Sequence, residues 1–168
     1  VSAASTAGVG ATVVTMVYDK TIEASIGKDG RALASGDVLV SADSVDDVYL
    51  FALSFSAGGT AAVGVSASAL VFQNELLSSL GGELNADGDV SVLASSDSEL
   101  FNIVAAVAGS GTAAVSPVAV VTYFEGETKA ADADDAVIDA AGAFLLDAKS
   151  KEFITSDAAG VAVSGTAS

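Results

Sequence analysis

The sequence predicts an all-β fold, a repeat-built β-solenoid of the parallel β-helix type. Three features carry that expectation: two-residue alternation in the apolar stretches, glycine-rich breaks between them, and a pattern that returns along the chain. A β-sandwich of the kind that serves as a fibre subunit is the alternative, since it also needs alternating strands and glycine turns.

The alternation comes first because residues 48–74, VYLFALSFSAGGTAAVGVSASALVFQN, contain no Asp, Glu, Lys or Arg. By length alone such a stretch could cross a membrane as a helix, for which about 20 apolar residues suffice. The period speaks for strands. Tyr49, Phe51, Leu53 and Phe55 alternate with Leu50, Ala52, Ser54 and Ser56. After Gly58-Gly59-Thr60, Val63, Val65, Ala67, Ala69 and Val71 alternate with Gly64, Ser66 and Ser68. Successive strand side chains point to opposite faces, whereas a helix needs apolar spacings of three and four. Residues 100–124 repeat the pattern around Gly109-Ser110-Gly111. Both stretches therefore read as strands flanking a glycine turn. A lipid-facing barrel would add aromatic girdles and a polar lumen. Here the alternate face is mostly Ala, Ser and Gly, so no membrane span is expected.

Composition agrees. The 168 residues suffice for one domain with a core. Ala, Val, Gly, Ser and Thr dominate, and the straight-chain helix formers are scarce. There is no cysteine, so disulfides and thiolate metal sites are excluded. Twenty-two acids against six bases give a net charge of −16. That charge leaves no basic footprint for nucleic acid and disfavours anionic lipid surfaces. It favours solubility and repels like surfaces. The opening VSAASTAGVG fits a processed mature form or an excised segment.

Gly-Thr occurs at 59–60, 111–112 and 165–166, and phasing on it divides a single domain (1–168) into units 7–60, 61–112 and 113–166. AGVGATVVTMVYDK aligns with AAVGVSASALVFQN and AAVSPVAVVTYFEG. Gly36, Gly88 and Gly142 coincide, as do Val9, Val63 and Val115, and Tyr18, Phe72 and Phe124. Glycines and apolar positions of core type recur. Charges do not: Lys20 matches Asn74 and Gly126, and Asp37 and Asp89 match Ala143. A repeated scaffold behaves this way, while an active site would stand out as one singular polar cluster. Each unit is expected to divide into about three coils of 18 residues, stacked through backbone hydrogen bonds. Pro117 cannot donate to a ladder, so in a solenoid it must lie at a bulge or in an exposed end coil.

The units resemble the repeats of fusobacterial leukotoxin-like proteins and related giant bacterial surface proteins. The first unit carries the likeness best, through Thr21, Ala24, Ile26, Gly27, Gly36, Asp37 and Val38. The second keeps Val63, Gly64, Gly88, Asp89 and Val90. The third departs from the pattern, with Ser116 for the Gly and Ala143-Phe144 for Asp-Val. The resemblance implies a secreted or surface-displayed β-helical shaft and carries over no catalytic residue.

Acids cluster at Asp43, Asp46 and Asp47 and again at Asp132, Asp134 and Asp135, the candidate ligands for calcium, which takes six to eight oxygens. Neither an EF-hand loop nor the glycine-rich calcium repeat is present, and the plainer reading is a solvated loop face. No cofactor is otherwise expected. No catalytic residue is assigned: histidine is absent, and no phosphate loop occurs. Tyr18, Phe72, Tyr123 and Phe124 read as a core layer rather than a ligand platform. The function expected is structural and non-enzymatic, at the cell surface or outside the cell. The chain would self-associate into fibres or continue a longer shaft of an adhesin or toxin. A glycan-binding or glycan-cleaving β-helix is the alternative.

Overall fold

The computed structural model describes residues 1–133 and 136–166. Every regular element among them is a strand. A short β1 (Ser2–Ala4) precedes three turns of a solenoid. The first turn holds β2 (Ala7–Ile26), β3 (Arg31–Ala34) and β4 (Val38–Gly58). The second holds β5 (Ala61–Leu80), β6 (Glu83–Ala86) and β7 (Val90–Ser110). The third holds β8 (Ala113–Val115), β9 (Val118–Asp132), β10 (Val137–Ala140) and β11 (Phe144–Ser164).

All pairings are parallel and join each strand to its counterpart one turn away. Three sheets result: β1-β4-β7-β11, β3-β6-β10, and β2-β5 with β8 and β9 both alongside β5. This is a parallel β-solenoid, and the sheets do not close a barrel. No described helix is long and apolar enough to cross a membrane.

Two expectations are corrected. Each recurring segment is one coil, not three of 18 residues. Ala7 faces Ala61, an offset of 54, and Val38 faces Val90, an offset of 52. The reason is that alternation runs unbroken through strands of 20 and 21 residues, with no corner inside them. The glycine breaks are not hairpin turns either. Gly58-Gly59-Thr60 carries the chain from β4 to β5, which lie in different sheets.

The two long sheets face each other, and the even-numbered residues of β4, β5 and β7 point between them. The space is wedge-shaped. At the Gly-Thr corner the sheets converge so closely that Thr12 and Ser66 hydroxyls donate to the backbone carbonyls of Leu53 and Ala105 across the core, both at 2.8 Å. Only small residues fit there, Gly, Ala, Ser and Thr12: a Cβ on Gly8 would strike the carbonyl of Ala57. Farther along, the gap admits Val48, Leu50, Leu70, Phe72 and Leu100. Beyond a polar layer lies a second apolar cluster, Leu80, Leu84, Ala86, Val90 and Val92, closed by the short third sheet. The alternate face of small residues is therefore the inner face near this corner. Tyr49, Phe51, Leu53 and Phe55 are about half exposed on the outside, between 46 and 55%. Val9 and Val115 also point outward, so that recurring column is not core.

Pro117 lies in the third coil, an end of the stack, where it separates β8 from β9. Its carbonyl accepts from the Ser66 N–H at 3.2 Å, and the N–H it lacks leaves a gap in the ladder.

The corner between β5 and β6 is two residues, Gly81-Gly82, where the first coil uses 27–30. Gly82 takes φ 73°, and a Cβ there would meet the Gly30 carbonyl oxygen. Gly82→Ala is expected to cost about 2 kcal/mol, from the left-handed backbone and the collision together. Gly27→Ala, with open space around it, should be near neutral. Urea unfolding of both variants checks this, and equal midpoints would reject the tight-corner account.

Candidate functional site

The first acidic cluster does not assemble. β4 alternates, so Asp43 and Asp47 face solvent while Asp46 points inward. Asp46 is the one buried charge among the described residues. Its carboxylate accepts from Lys20 Nζ at 2.7 Å, Ser44 Oγ at 2.6 Å, Tyr18 OH at 2.9 Å and Asn74 Nδ2 at 3.4 Å. Burial pushes its pKa upward, but the hydrogen bonds from Lys20, Ser44 and Tyr18 outweigh burial and hold it below the usual carboxylate range. The Tyr18 phenol is raised, first by burial and then by its bond to Asp46. Asn74 extends the network to Ser96 at 3.1 Å. The partners occupy the carboxylate, so this reads as a structural network, with the buried Asn74 Oδ1 its one unpaired atom among the described residues. Asp132 is exposed at the end of β9. Asp134 and Asp135 lie outside the described residues. Among the described residues, no three His, Cys, Asp or Glu side chains gather as a metal site.

The aromatic layer divides. Tyr18, Phe72 and Phe124 form a continuous stack in the core, with centroids 4.9 and 5.5 Å apart. Tyr123 does not join them. One position away in an alternating strand, it faces outward, and its hydroxyl donates to Glu125 at 3.0 Å. That bond raises the Tyr123 pKa, and bonds from Gln73 and Tyr123 lower that of Glu125.

Sequence reasoning missed a second aromatic column on the outer face. Tyr49 stacks on Phe101 at 5.2 Å, and Phe153 lies tilted beyond it at 5.7 Å. Phe51, Leu53 and Phe55 widen it into an apolar strip. Asp97, Glu99 and Lys151 border a shallow depression beside Phe153. The signal was present in the register, because Tyr49 and Phe101 occupy matching places in the aligned repeats.

The ends of the stack are the other notable surfaces. At one end β2 and most of β4 have an unpaired edge, and at the other β9, β10 and β11 do. The third coil also uncovers its interior: Phe144, Leu146 and Ile154, on the inner face of β11, are 38–42% exposed. An exposed edge presents unpaired N–H and C=O groups to any strand of matching direction.

No family model, curated protein or solved structure matches this chain.

Proposed function

We propose that this chain is a non-enzymatic structural protein of the cell surface or extracellular space, acting as a self-assembling filament subunit or as a shaft segment of a larger adhesin or toxin. The observation that carries the reading is the pair of open ends: ladders of strand length, with apolar interior exposed at the third coil. The coils stack by backbone bonds and recurring apolar columns, a mode of growth that continues indefinitely along one axis. The repeat resemblance to fusobacterial leukotoxin-like surface proteins points the same way. The net charge of −16 would keep such shafts apart laterally.

Electron microscopy of the purified chain over a range of concentrations tests it. Uniform fibres with an axial repeat are expected of a subunit. Discrete rods that never lengthen would reject the filament form and leave the shaft segment. The Tyr49–Phe101–Phe153 column favours one second reading, glycan binding on the outer face, because a row of exposed aromatic rings suits sugar faces. A glycan array with a hydrolysis readout decides it: reproducible binding lost in Phe101→Ala would displace the structural reading.

A further inference from the structure

We propose that a second copy of this chain stacks its first coil directly onto the third coil of the first, and that Lys149, Lys129 and Glu152 select the register. This rests on the self-assembling reading above.

The two ends match as ladders. One presents edges of 15, 4 and 21 residues in β9, β10 and β11. The other presents β2, β3 and β4, of 20, 4 and 21 residues, in the same sheets and the same direction. Carrying each column on by one step fixes which side chains meet. Lys149 stands in the column of Ser95 and Asp43, so it meets Asp43 of the next copy. Lys129 stands in the column of Leu77 and Glu23, so it meets Glu23 of the next copy. Both lysines now pair only with acids on their own strand, Asp147 and Glu127, and are well exposed.

The interior makes the same match. In the first coil, inward Asp46 is paired with Lys20. The corresponding residues of the third coil are Glu152 and Gly126. The acid is kept and its base is gone. Stacking sets the next copy's Lys20 beside Gly126, where it lies between its own Asp46 and Glu152. Phe124 then meets the next copy's Tyr18 and extends the core aromatic stack. Every Lys and Arg of the chain lies in an end coil: Lys20, Lys28 and Arg31 in the first, and Lys129, Lys149 and Lys151 in the third. Two contacts oppose. Glu125 meets Asp19 on the outer face, where such a pair counts for little. Glu152 meets the next copy's Asp46 on the inner face, where Lys20 is the one base that offsets both carboxylates.

One element stands in the way. β1 occupies the edge of β4 at Ser56–Gly58, the place that Ala162–Ser164 of the neighbouring copy would take. It must peel away before the junction closes, so β1 acts as a built-in brake on stacking.

The test uses the 168-residue chain in two charge-reversed forms, Lys129→Glu/Lys149→Glu and Glu23→Lys/Asp43→Lys. All four positions are exposed, and circular dichroism and melting check that the fold is kept. Light scattering and electron microscopy follow assembly. Each form alone is expected to delay assembly at least tenfold, and an equimolar mixture to restore it, because only alternating junctions are complementary. Deleting residues 1–6 from the parent chain should speed assembly. The Glu23→Lys/Asp43→Lys form is the less acidic of the two, so generic repulsion predicts the opposite of its failure. Either form assembling alone like the parent, or a mixture no better than its parts, overturns the register while the filament reading stands. A parent chain that stays monomeric at every concentration overturns both.

Discussion

Phe72→Ala is expected to lower the stability of the chain by about 4 kcal/mol, within the range for removing a buried aromatic. Phe72 is wholly buried in the middle coil, between the rings of Tyr18 and Phe124. Its neighbours cannot close the gap, because the backbones on either side are held in ladders and the opposing sheet is pinned by Leu50 and Leu100. The lost burial and stacking therefore add to a cavity that persists. Phe101 gives the contrast: the same side chain in the same coil, but on the outer face in the column of Tyr49 and Phe153. Phe101→Ala should cost no more than about 1 kcal/mol. Urea midpoints of the two variants check the pair. Equal losses would reject the assignment of inner and outer faces.

That assignment is where sequence reasoning was weakest. The parity of the strand is plain, since large and small residues alternate from Phe51 to Ser56. Which parity faces in is a different matter. Tyr49, Phe51, Leu53 and Phe55 are bulkier than Ala52, Ser54 and Ser56, yet they lie outside. The sheets approach too closely near the Gly-Thr corner for anything large between them, and that distance is set by Gly8 and Gly10 on the opposite sheet. A single strand does not reveal its partner's distance. Tyr18, Phe72 and Phe124 were legible as core because their column aligns at a fixed place in the repeat, where the gap admits large side chains. Tyr123, adjacent to Phe124, could have been set aside by parity alone.

Coil length was misjudged for a related reason. A corner needs a break in alternation, and within the first repeat the breaks fall only near 27–30, 35–37 and 58–60. Three short coils would need corners inside β2 and β4, where the sequence offers none. Asp46 was legible in part. It stands one residue from Asp47 and three from Asp43, so alternation already places it on the opposite face from both. Its partner was not legible, since Lys20 belongs to another sheet and meets Asp46 only once β2 and β4 close over the core.

That pair carries the second large effect. Lys20→Met is expected to cost about 3 kcal/mol at neutral pH, because it strands a buried carboxylate without its counter-charge. Asp46 has only 5% of its side chain exposed, while Lys20 keeps 22%. Removing the base therefore harms more than its own exposure suggests. The pH dependence gives the effect a signature. In the parent chain the folded-state pKa of Asp46 lies below its unfolded value. Its contribution is then present above the ordinary Asp pKa of about 3.9 and is lost as pH falls through the folded value. Without Lys20, burial dominates, and the folded-state pKa rises above the unfolded one. Protonation then favours the folded variant, so the gap between parent and variant should narrow as pH drops from 7 towards 3. Replacing both residues, Lys20→Met with Asp46→Leu, should recover part of the loss by removing the stranded charge. Urea unfolding of the three chains at pH 7, 5 and 3 measures all of this. A gap that stays constant with pH would mean that Lys20 stabilises by packing its methylenes against Tyr18, and that the buried carboxylate is satisfied by Ser44, Tyr18 and Asn74 alone.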